Sequence, residues 1–319
     1  MGLVMRNLSL VARFVFIVTI LLPLVSCSSL DRLRALRVIK DAHTQYGRGD
    51  YEAAAELYEE VLANDPNLVD AYFYLANSYD QQFRPALRGE PENDQLLDLA
   101  IDNYIKSAEL QTGRPMQTLS MQYLVAAFGP DKLNDPAKSE PVLQTMIDTD
   151  PENPENYFAL SRLYEDSGMV AEAEEVLQNV AASNEDDPGV HLQIAGFYNR
   201  NEQFDETIAA LRRRAELEPE NPEAFYTIST YYWEKAFRDF RLSEEEQLEH
   251  VLLGLAEADH ALELNADYME ALTYKNILLR MQANLTDAGS ERDDLIAQAD
   301  ELRERAEELQ AQRTSGIGG

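Results

Sequence analysis

Three prolines recur at a fixed interval, and this interval constrains the fold more than any other feature of the sequence. Pro154, Pro188 and Pro222 are each 34 residues apart, and Pro151 and Pro219 are separated by 68, twice that interval. A fixed period of about 20–50 residues is typical of arrays of small repeated units, each of which buries its apolar face only against its neighbours. We therefore expect one elongated array rather than two globular domains.

The segment from Pro154 to Asp187 has the pattern of a helical hairpin. Four residues at i, i+3, i+4 and i+7 form one face of a first helix: Tyr157, Leu160, Ser161 and Tyr164. Gly168 interrupts that helix, and a second apolar stripe follows at Ala173, Leu177 and Val180. The next unit repeats the pattern with Ile194, Ala195, Tyr198, Phe204, Leu211 and Pro219. The pattern predicts helix, turn and helix in each unit.

This unit resembles the tetratricopeptide repeat, which is about 34 residues long. The resemblance implies an all-α fold, a right-handed superhelical α-solenoid of about seven hairpins and fourteen helices, over residues 33–312. It also implies small residues where the two helices of a hairpin approach: Ala42, Ala76, Ser161, Ala195 and Ser229. Tyr58, Tyr104 and Tyr164 fall on packing positions, so we interpret them as core. The last helix, polar on one side, would cap the stack, and a disordered tail is expected at 313–319.

Two units are longer than the period allows. We expect inserts at 82–95 in unit two and at 236–242 in unit six. Ser243 and Glu246 have the spacing of a capping box, so a helix should begin after the second insert. Unit three, which contains the loop 129–136, matches the repeat least well.

The N-terminus has the organisation of an export signal. Arg6 and Arg13 precede an apolar run from Phe14 to Val25, which is too short to span a bilayer comfortably. The run ends in Leu-Val-Ser-Cys, which resembles the lipobox of bacterial lipoproteins and contains Cys27, the only cysteine. We expect a signal peptide at 1–26 and a lipidated linker at 27–32; the alternative is a short retained anchor. By the same resemblance, Ser28 favours the outer membrane, facing the periplasm.

The net charge of the chain restricts the classes of molecule that it can bind. The chain has 58 acidic and 27 basic residues, a formal net charge of −31. Such a surface repels nucleic acid and favours basic partner segments, although helices with solvated acidic faces would give the same count. Four basic residues follow the lipidation site and either contact anionic head groups or form the polar face of the first helix: Arg32, Arg34, Arg37 and Lys40.

In tetratricopeptide proteins, the first helices line a concave groove that binds other proteins. Transferred by position, the predicted protein-binding residues are Phe73, Asn77, Phe158, Arg162, Leu192, Asn199, Arg200, Tyr226, Thr230 and Trp233, with Glu165 beside them. No lysine stands where one subclass holds a C-terminal carboxylate. Aromatic residues and arginine are common at binding hot spots, so Trp233, the only tryptophan, is the first candidate. The alternative is that Trp233 packs as core beneath the unit-six insert.

The sequence contains no pattern that predicts catalysis, a metal or a cofactor. The four histidines lack metal-ligand spacing, and neither a phosphate loop nor a nucleophile elbow is present. We therefore expect a lipid-anchored scaffold that binds basic or aromatic protein segments in the cell envelope, in the assembly of an envelope complex. One alternative is an oligosaccharide-binding lipoprotein with a closed aromatic pocket. Another is an enzyme using the inserts, which contain Arg84, Arg88, Glu90, Glu92, Lys235, Arg238, Asp239 and Arg241.

Overall fold

The computed structural model describes residues 30–113 and 115–316, which form fourteen α-helices and no β-strand. The helices are α1 (30–48), α2 (Tyr51–Asn64), α3 (Asp70–Gln82), α4 (Pro91–Leu110), α5 (Pro115–Phe128), α6 (Pro136–Thr149), α7 (Pro154–Asp166), α8 (Val170–Ser183), α9 (Pro188–Arg200), α10 (Phe204–Leu217), α11 (Pro222–Arg238), α12 (Glu244–Leu264), α13 (Met269–Leu285) and α14 (Ser290–Ser315). They pair in order into seven hairpins. The predicted all-α fold is confirmed.

The prolines of the 34-residue period begin helices. Pro154, Pro188 and Pro222 are the first residues of α7, α9 and α11. Each follows a residue with an amide or carboxylate side chain that accepts a hydrogen bond from the first turn; Asn153, for example, accepts from the backbone N–H of Glu155 at 3.1 Å. Proline suits this first position because its missing N–H would have no intrahelical partner there. The period therefore marks where each first helix begins.

Turn residues and a second set of prolines end the helices. Gly49 and Gly168 lie between the two helices of their hairpins with φ of +78° and +76°, a region that glycine adopts without steric cost. Pro151 and Pro219 come shortly after α6 and α10, where proline cannot continue a helix.

The described residues divide into two compact units, unit 1 up to residue 176 and unit 2 from residue 177, with the division inside α8. In unit 1, each helix from α2 to α6 packs on the helix that follows it in the chain, so that the last of these contacts joins α6 to α7. The first helices α3 and α5 also contact each other, which is how successive hairpins stack. The core here is built around Tyr58 and Tyr104, both 0% exposed.

Unit 2 is built in the same way. Each helix from α9 to α13 packs on the next, α13 packs on α14, and the first helices α11 and α13 contact each other. Helix α14 buries little beyond Leu295 and Ala299, and the rest of its long surface is polar. It therefore serves as the cap that the sequence predicted.

Five small residues are predicted at the points where the two helices of a hairpin approach each other, and the structure buries all of them. Ala42, Ala76, Ser161, Ala195 and Ser229 are all buried. The hydroxyl of Ser229 donates a hydrogen bond to the carbonyl of Gly254 on the facing helix at 2.7 Å, and Ser161 does the same to Ala173 at 3.1 Å. Tyr58 and Tyr104 are core, as expected, whereas Tyr164 is only half-buried and donates to Glu140 at 2.8 Å.

The inserts and the C-terminus differ from the predicted boundaries. Helix α4 begins at Pro91, so the non-helical part of the first insert is 83–90, with a short 3-10 turn at Pro85–Leu87. Helix α11 continues to Arg238 because its apolar face extends through Ala236 and Phe237. The capping box at Ser243 and Glu246 is present. The final helix runs to Ser315, beyond the predicted start of the tail at 313.

The predicted signal peptide at 1–26, Cys27 and Ser28 lie outside the described residues. Among the helices that are described, none is both long enough and apolar enough to cross a membrane.

Candidate functional site

One face of α11 carries four of the side chains that bear on function. Tyr226, Thr230, Trp233 and Phe237 follow one another at intervals of four, three and four residues, which places them in a row along one side of the helix. The first three are half-buried and Phe237 is 58% exposed. The row therefore lies at the surface of unit 2.

Helix α13 extends this row with two further rings. Tyr274 lies edge-on to both Trp233 and Tyr226, at 5.3 Å and 5.4 Å between ring centroids, and Tyr268 lies edge-on to Tyr226 at 5.6 Å. The rings of Trp233 and Phe237 are stacked, 5.5 Å apart and nearly parallel. These five rings form a continuous aromatic strip: Phe237, Trp233, Tyr274, Tyr226 and Tyr268. Such a surface offers large contact area with little loss of side-chain entropy on binding.

Two buried polar atoms in the strip or next to it have no hydrogen-bond partner among the described residues. One is the indole Nε1 of Trp233 and the other is Oε2 of Glu270, whose other carboxylate oxygen lies 3.6 Å from Arg313. A buried donor or acceptor without a partner costs about 1–3 kcal/mol, and the burial of both atoms keeps them out of reach of an incoming partner.

Two tyrosine hydroxyls in the strip have raised pKa values. Burial, followed by the neighbouring hydroxyls of Tyr274 and Tyr268 and the charges of Glu270 and Glu223, raises the pKa of Tyr226 to about 12. Burial also raises the pKa of Tyr268; Glu270 adds to the shift, and Arg214 and Arg313 oppose it. Both hydroxyls are therefore protonated at neutral pH, and the two glutamates have cationic partners, Glu223 in Arg214 at 3.1 Å and Glu270 in Arg313 at 3.6 Å.

A separate cleft of about 560 Å³ lies at the C-terminal ends of α9 and α11, and it is open to solvent. Its apolar wall is formed by Phe204, Tyr231 and Phe240, the last of which is 95% exposed. Asp239 accepts hydrogen bonds from Lys235 at 2.8 Å and from Arg241 at 2.7 Å, and these contacts lower its pKa. The open form favours the binding of a protein segment over the closed pocket expected of an oligosaccharide-binding lipoprotein.

The sequence prediction for unit two requires a correction. Phe73 and Asn77 are only 5% and 3% exposed. Phe73 packs against Tyr104 and Tyr123, and Asn77 accepts a hydrogen bond from Tyr46 and donates one to Tyr104. Both side chains stabilise the interior of unit 1, so a partner cannot reach them. The transferred register fails here because rings from α1, α4 and α5 cover this face of α3.

The other predicted positions are accessible. In unit 1, Phe158 is half-buried, and Arg162 is exposed and pairs with Asp166 at 3.1 Å and with Glu165 at 3.4 Å. In unit 2, Leu192, Asn199 and Arg200 are exposed on α9, and Asn199 lines the open cleft. Tyr226, Thr230 and Trp233 lie together on α11. The structure thus brings the unit-six positions into one surface.

Three rings of the strip were missed from sequence. Phe237 follows Trp233 by four residues but falls inside the predicted insert 236–242, so the sequence analysis did not place it on the helix. Tyr268 and Tyr274 lie in unit seven, where the register was not transferred. Continuing the four-residue spacing along α11 would have identified Phe237.

The residues considered for chemistry have structural partners. In the first insert, the side chain of Asn93 accepts from the backbone N–H of Arg84 at 2.8 Å and donates to its carbonyl at 3.1 Å, and Arg88 donates to the carbonyl of Pro130 at 2.9 Å. In the second, Arg238 pairs with Glu234 at 2.8 Å. Over residues 30–113 and 115–316, no group of three histidine, cysteine, aspartate or glutamate side chains could hold a metal ion.

Family models identify the repeat. Residues 40–104 and 132–195 each match a model described as tetratricopeptide repeat. A comparison with curated proteins found no significant match.

Among solved structures, similarity is low. A tetratricopeptide-repeat protein from Cytophaga hutchinsonii is 13% identical with a TM-score of 0.47, over 81% of this chain and 98% of that one. MamA is 14% identical with a TM-score of 0.41, over 62% and 94%. YrrB, described as a TPR protein with an unusual peptide-binding site, is 18% identical with a TM-score of 0.32, over 75% and 90%. With TM-scores below 0.5, these likenesses are too low to transfer a function.

Proposed function

The chain is a tetratricopeptide-repeat protein, and we propose that it binds segments of other proteins through the aromatic strip while a lipid on Cys27 holds it at a membrane of the cell envelope. The continuous strip across α11 and α13 is the observation that supports binding most strongly. Five rings in mutual contact, one of them 58% exposed, form the kind of surface in which binding hot spots cluster.

The chemistry of the strip suggests the chemistry of its partner. Residues 177–319 contain 30 acidic and 13 basic residues, a formal net charge of −17. A lysine or arginine of the partner would stack on the rings. We therefore propose a partner segment that contains basic and aromatic residues, and a role for the protein as a scaffold in the assembly of an envelope complex.

The proposal for the membrane rests on the sequence. Cys27 follows directly on the apolar run that ends at Val25, and acylation with two or more chains gives stable anchoring. Ser28 supports an outer-membrane position facing the periplasm. Metabolic labelling with palmitate tests this part: the label should enter the native protein and be absent from Cys27→Ser. Equal labelling of both would reject the anchor.

Binding is tested by cross-linking in native membranes followed by purification. We expect discrete partners that are lost in Phe237→Ala and in Trp233→Ala. Phe237→Ala removes an exposed ring, so it tests the strip without endangering the core. The matched control is Leu252→Ala, which removes an exposed side chain (46%) from α12 and should keep every partner. Partners that persist in both strip variants would reject the aromatic strip as the binding surface.

A further inference from the structure

The first helix exposes apolar side chains on the side that faces away from the protein. Leu30 and Leu33 are each 64% exposed and Leu36 is 48% exposed. The residues of α1 that face the core are Ala35 and Ala42, both 0% exposed, and the helical spacing places them opposite Leu33. These three leucines, here called the leucine face, lie outside the core cluster of unit 1; Leu33 and Leu36 line an open cleft beside the end of α2.

Basic residues share this side of the helix. Residues 30–48 contain five basic and two acidic residues, in a chain whose net charge is −31. Arg37 and Lys40 lie next to the leucine face by helical spacing and make no ion pair with any described residue. Arg34 pairs with Glu60 at 2.6 Å yet remains 65% exposed, and Arg32 approaches Asp65 only to 3.8 Å. Basic side chains therefore outnumber acidic ones around the exposed leucines, where Asp31 and Asp65 line the cleft beside Leu33 and Leu36.

Leucine side chains flanked by lysine and arginine are the composition of a helix that lies in a membrane interface. Each basic residue near an anionic lipid surface contributes about 1 kcal/mol, a factor of about five in affinity. A second copy of this chain would bring like charges together, since Arg37 and Lys40 would face their own counterparts. Lipid satisfies both features, since head groups neutralise the cations and acyl chains receive the leucines.

The position along the chain agrees with this occupant. Leu30 follows the last residue of the apolar run, Val25, by five residues, which reach at most about 17 Å when fully extended. Any attachment of the preceding segment to a bilayer therefore holds α1 at its surface. We propose that the leucine face of α1 docks on an anionic lipid surface, which would fix the orientation of unit 1 against the membrane; this inference rests on the membrane attachment proposed above.

The experiment uses tryptophan fluorescence in the full chain. With Trp233→Phe as background, Leu36→Trp places the only tryptophan in the leucine face. Leu252→Trp is the matched control, because the two leucines are 48% and 46% exposed and Leu252 lies beside Glu249. Both variants are reconstituted in vesicles of zwitterionic lipid, with and without anionic lipid. Emission and quenching by acrylamide, a neutral quencher, are measured, and flotation reports attachment.

We expect blue-shifted, protected emission from Leu36→Trp on anionic vesicles, weaker protection on zwitterionic ones, and none for Leu252→Trp. Arg37→Glu with Lys40→Glu should reduce the protected population by more than about tenfold. Protection that is equal on both lipids, or already present without vesicles, would overturn the proposal in favour of cover by residues 1–29 or by a second copy. Flotation with an unprotected Leu36→Trp would overturn docking while leaving the anchor intact, and failure to float would overturn both.

Discussion

At the scale of single residues, a series of polar contacts among five side chains connects three hairpins of unit 1. The hydroxyl of Tyr46 donates to Asn77 at 2.7 Å, and the amide of Asn77 donates to the Tyr104 hydroxyl at 3.0 Å. That hydroxyl donates to Asp80 at 3.3 Å, and the other carboxylate oxygen of Asp80 pairs with Lys132. Lys132 belongs to the loop between α5 and α6, so this series of contacts ties the least regular repeat to its neighbour.

Removing Lys132 should destabilise the fold. The Asp80 side chain is 2% exposed, so Lys132→Met would leave a buried carboxylate without its cation, at a cost of about 3 kcal/mol. Lys138→Met is the control, because the pair of Lys138 with Asp135 is largely exposed and contributes at most about 1 kcal/mol. Urea unfolding measures both. Equal losses in the two variants would show that the buried pair does not hold the loop.

His250 should make stability dependent on pH. Burial, followed by the charge of Lys235, lowers its pKa below the ordinary 6.5. Its ring lies against Phe204 and Tyr232, and Nδ1 is buried without a partner. The unfolded chain binds a proton at His250 more readily than the folded chain does. The stability that neutral His250 contributes is therefore complete above about pH 6.5 and is lost as the pH falls towards the lowered pKa of the folded state.

His250→Phe keeps a ring at this position and removes the titration. Between pH 7.5 and 5.5, its free energy of unfolding should therefore fall less than that of the native chain. Above pH 7.5, the difference between the two proteins should be constant. The same pH dependence in both would rule out His250 as the cause.

Among the elements, two turns hold a residue with a side chain at positive φ: Asn134 between α5 and α6, and Glu202 between α9 and α10. Gly168 occupies the turn between α7 and α8 at φ +76°, and the position one period later is Glu202, at φ +59° between α9 and α10. A residue with a side chain costs about 1–2 kcal/mol in this region.

Glu202→Gly should therefore raise the free energy of unfolding by about 1 kcal/mol, measured in urea. The reverse change, Gly168→Glu, should lower it by a similar amount, because Gly168 has the corresponding φ. A loss in both variants would mean that Glu202 makes contacts that outweigh its backbone strain.

The crossing of α11, α12 and α13 leaves no room at Gly254. A Cβ there would lie 3.2 Å from side-chain carbons of Leu278 and Tyr232. Gly254→Ala should lower the free energy of unfolding by about 1–2 kcal/mol, because overpacking exceeds the gain in helix propensity.

Gly196 on α9 is the matched control. At Gly196, a Cβ would meet only the end of the flexible Arg200 side chain at 3.4 Å. Gly196→Ala should then stabilise by up to about 1 kcal/mol in calorimetry. Stabilisation by both changes would contradict the tight crossing.

The presence of each helix was easier to predict from the sequence than the residue at which it ends. The proline period, the Gly168 turn and the capping box at Ser243 are local signals, and local signals fix where helices begin. The burial of Phe73 and Asn77 is a tertiary effect, since it depends on rings of α1, α4 and α5 packing over α3. The partners of Trp233 were missed for the same reason, because Tyr274 belongs to a different hairpin.

At the scale of the whole molecule, the 34-residue period agrees with the matched repeat family. Tetratricopeptide repeats match in two segments, 40–104 and 132–195, and helical hairpins also continue beyond them in unit 2. Among the described residues, α1 in unit 1 carries more basic than acidic side chains, and the aromatic strip on α11 and α13 belongs to unit 2.

The most direct test of the central claim uses Trp233, the only tryptophan and the middle of the aromatic strip. A synthetic peptide of alternating basic and aromatic residues is titrated into the full chain, with tryptophan emission and calorimetry recorded together. We predict a saturable change in emission at the concentrations where heat is released, and binding at least about tenfold weaker for Phe237→Ala. Heat of binding without any change in Trp233 emission, and with equal affinity in Phe237→Ala, would contradict recognition through the aromatic strip.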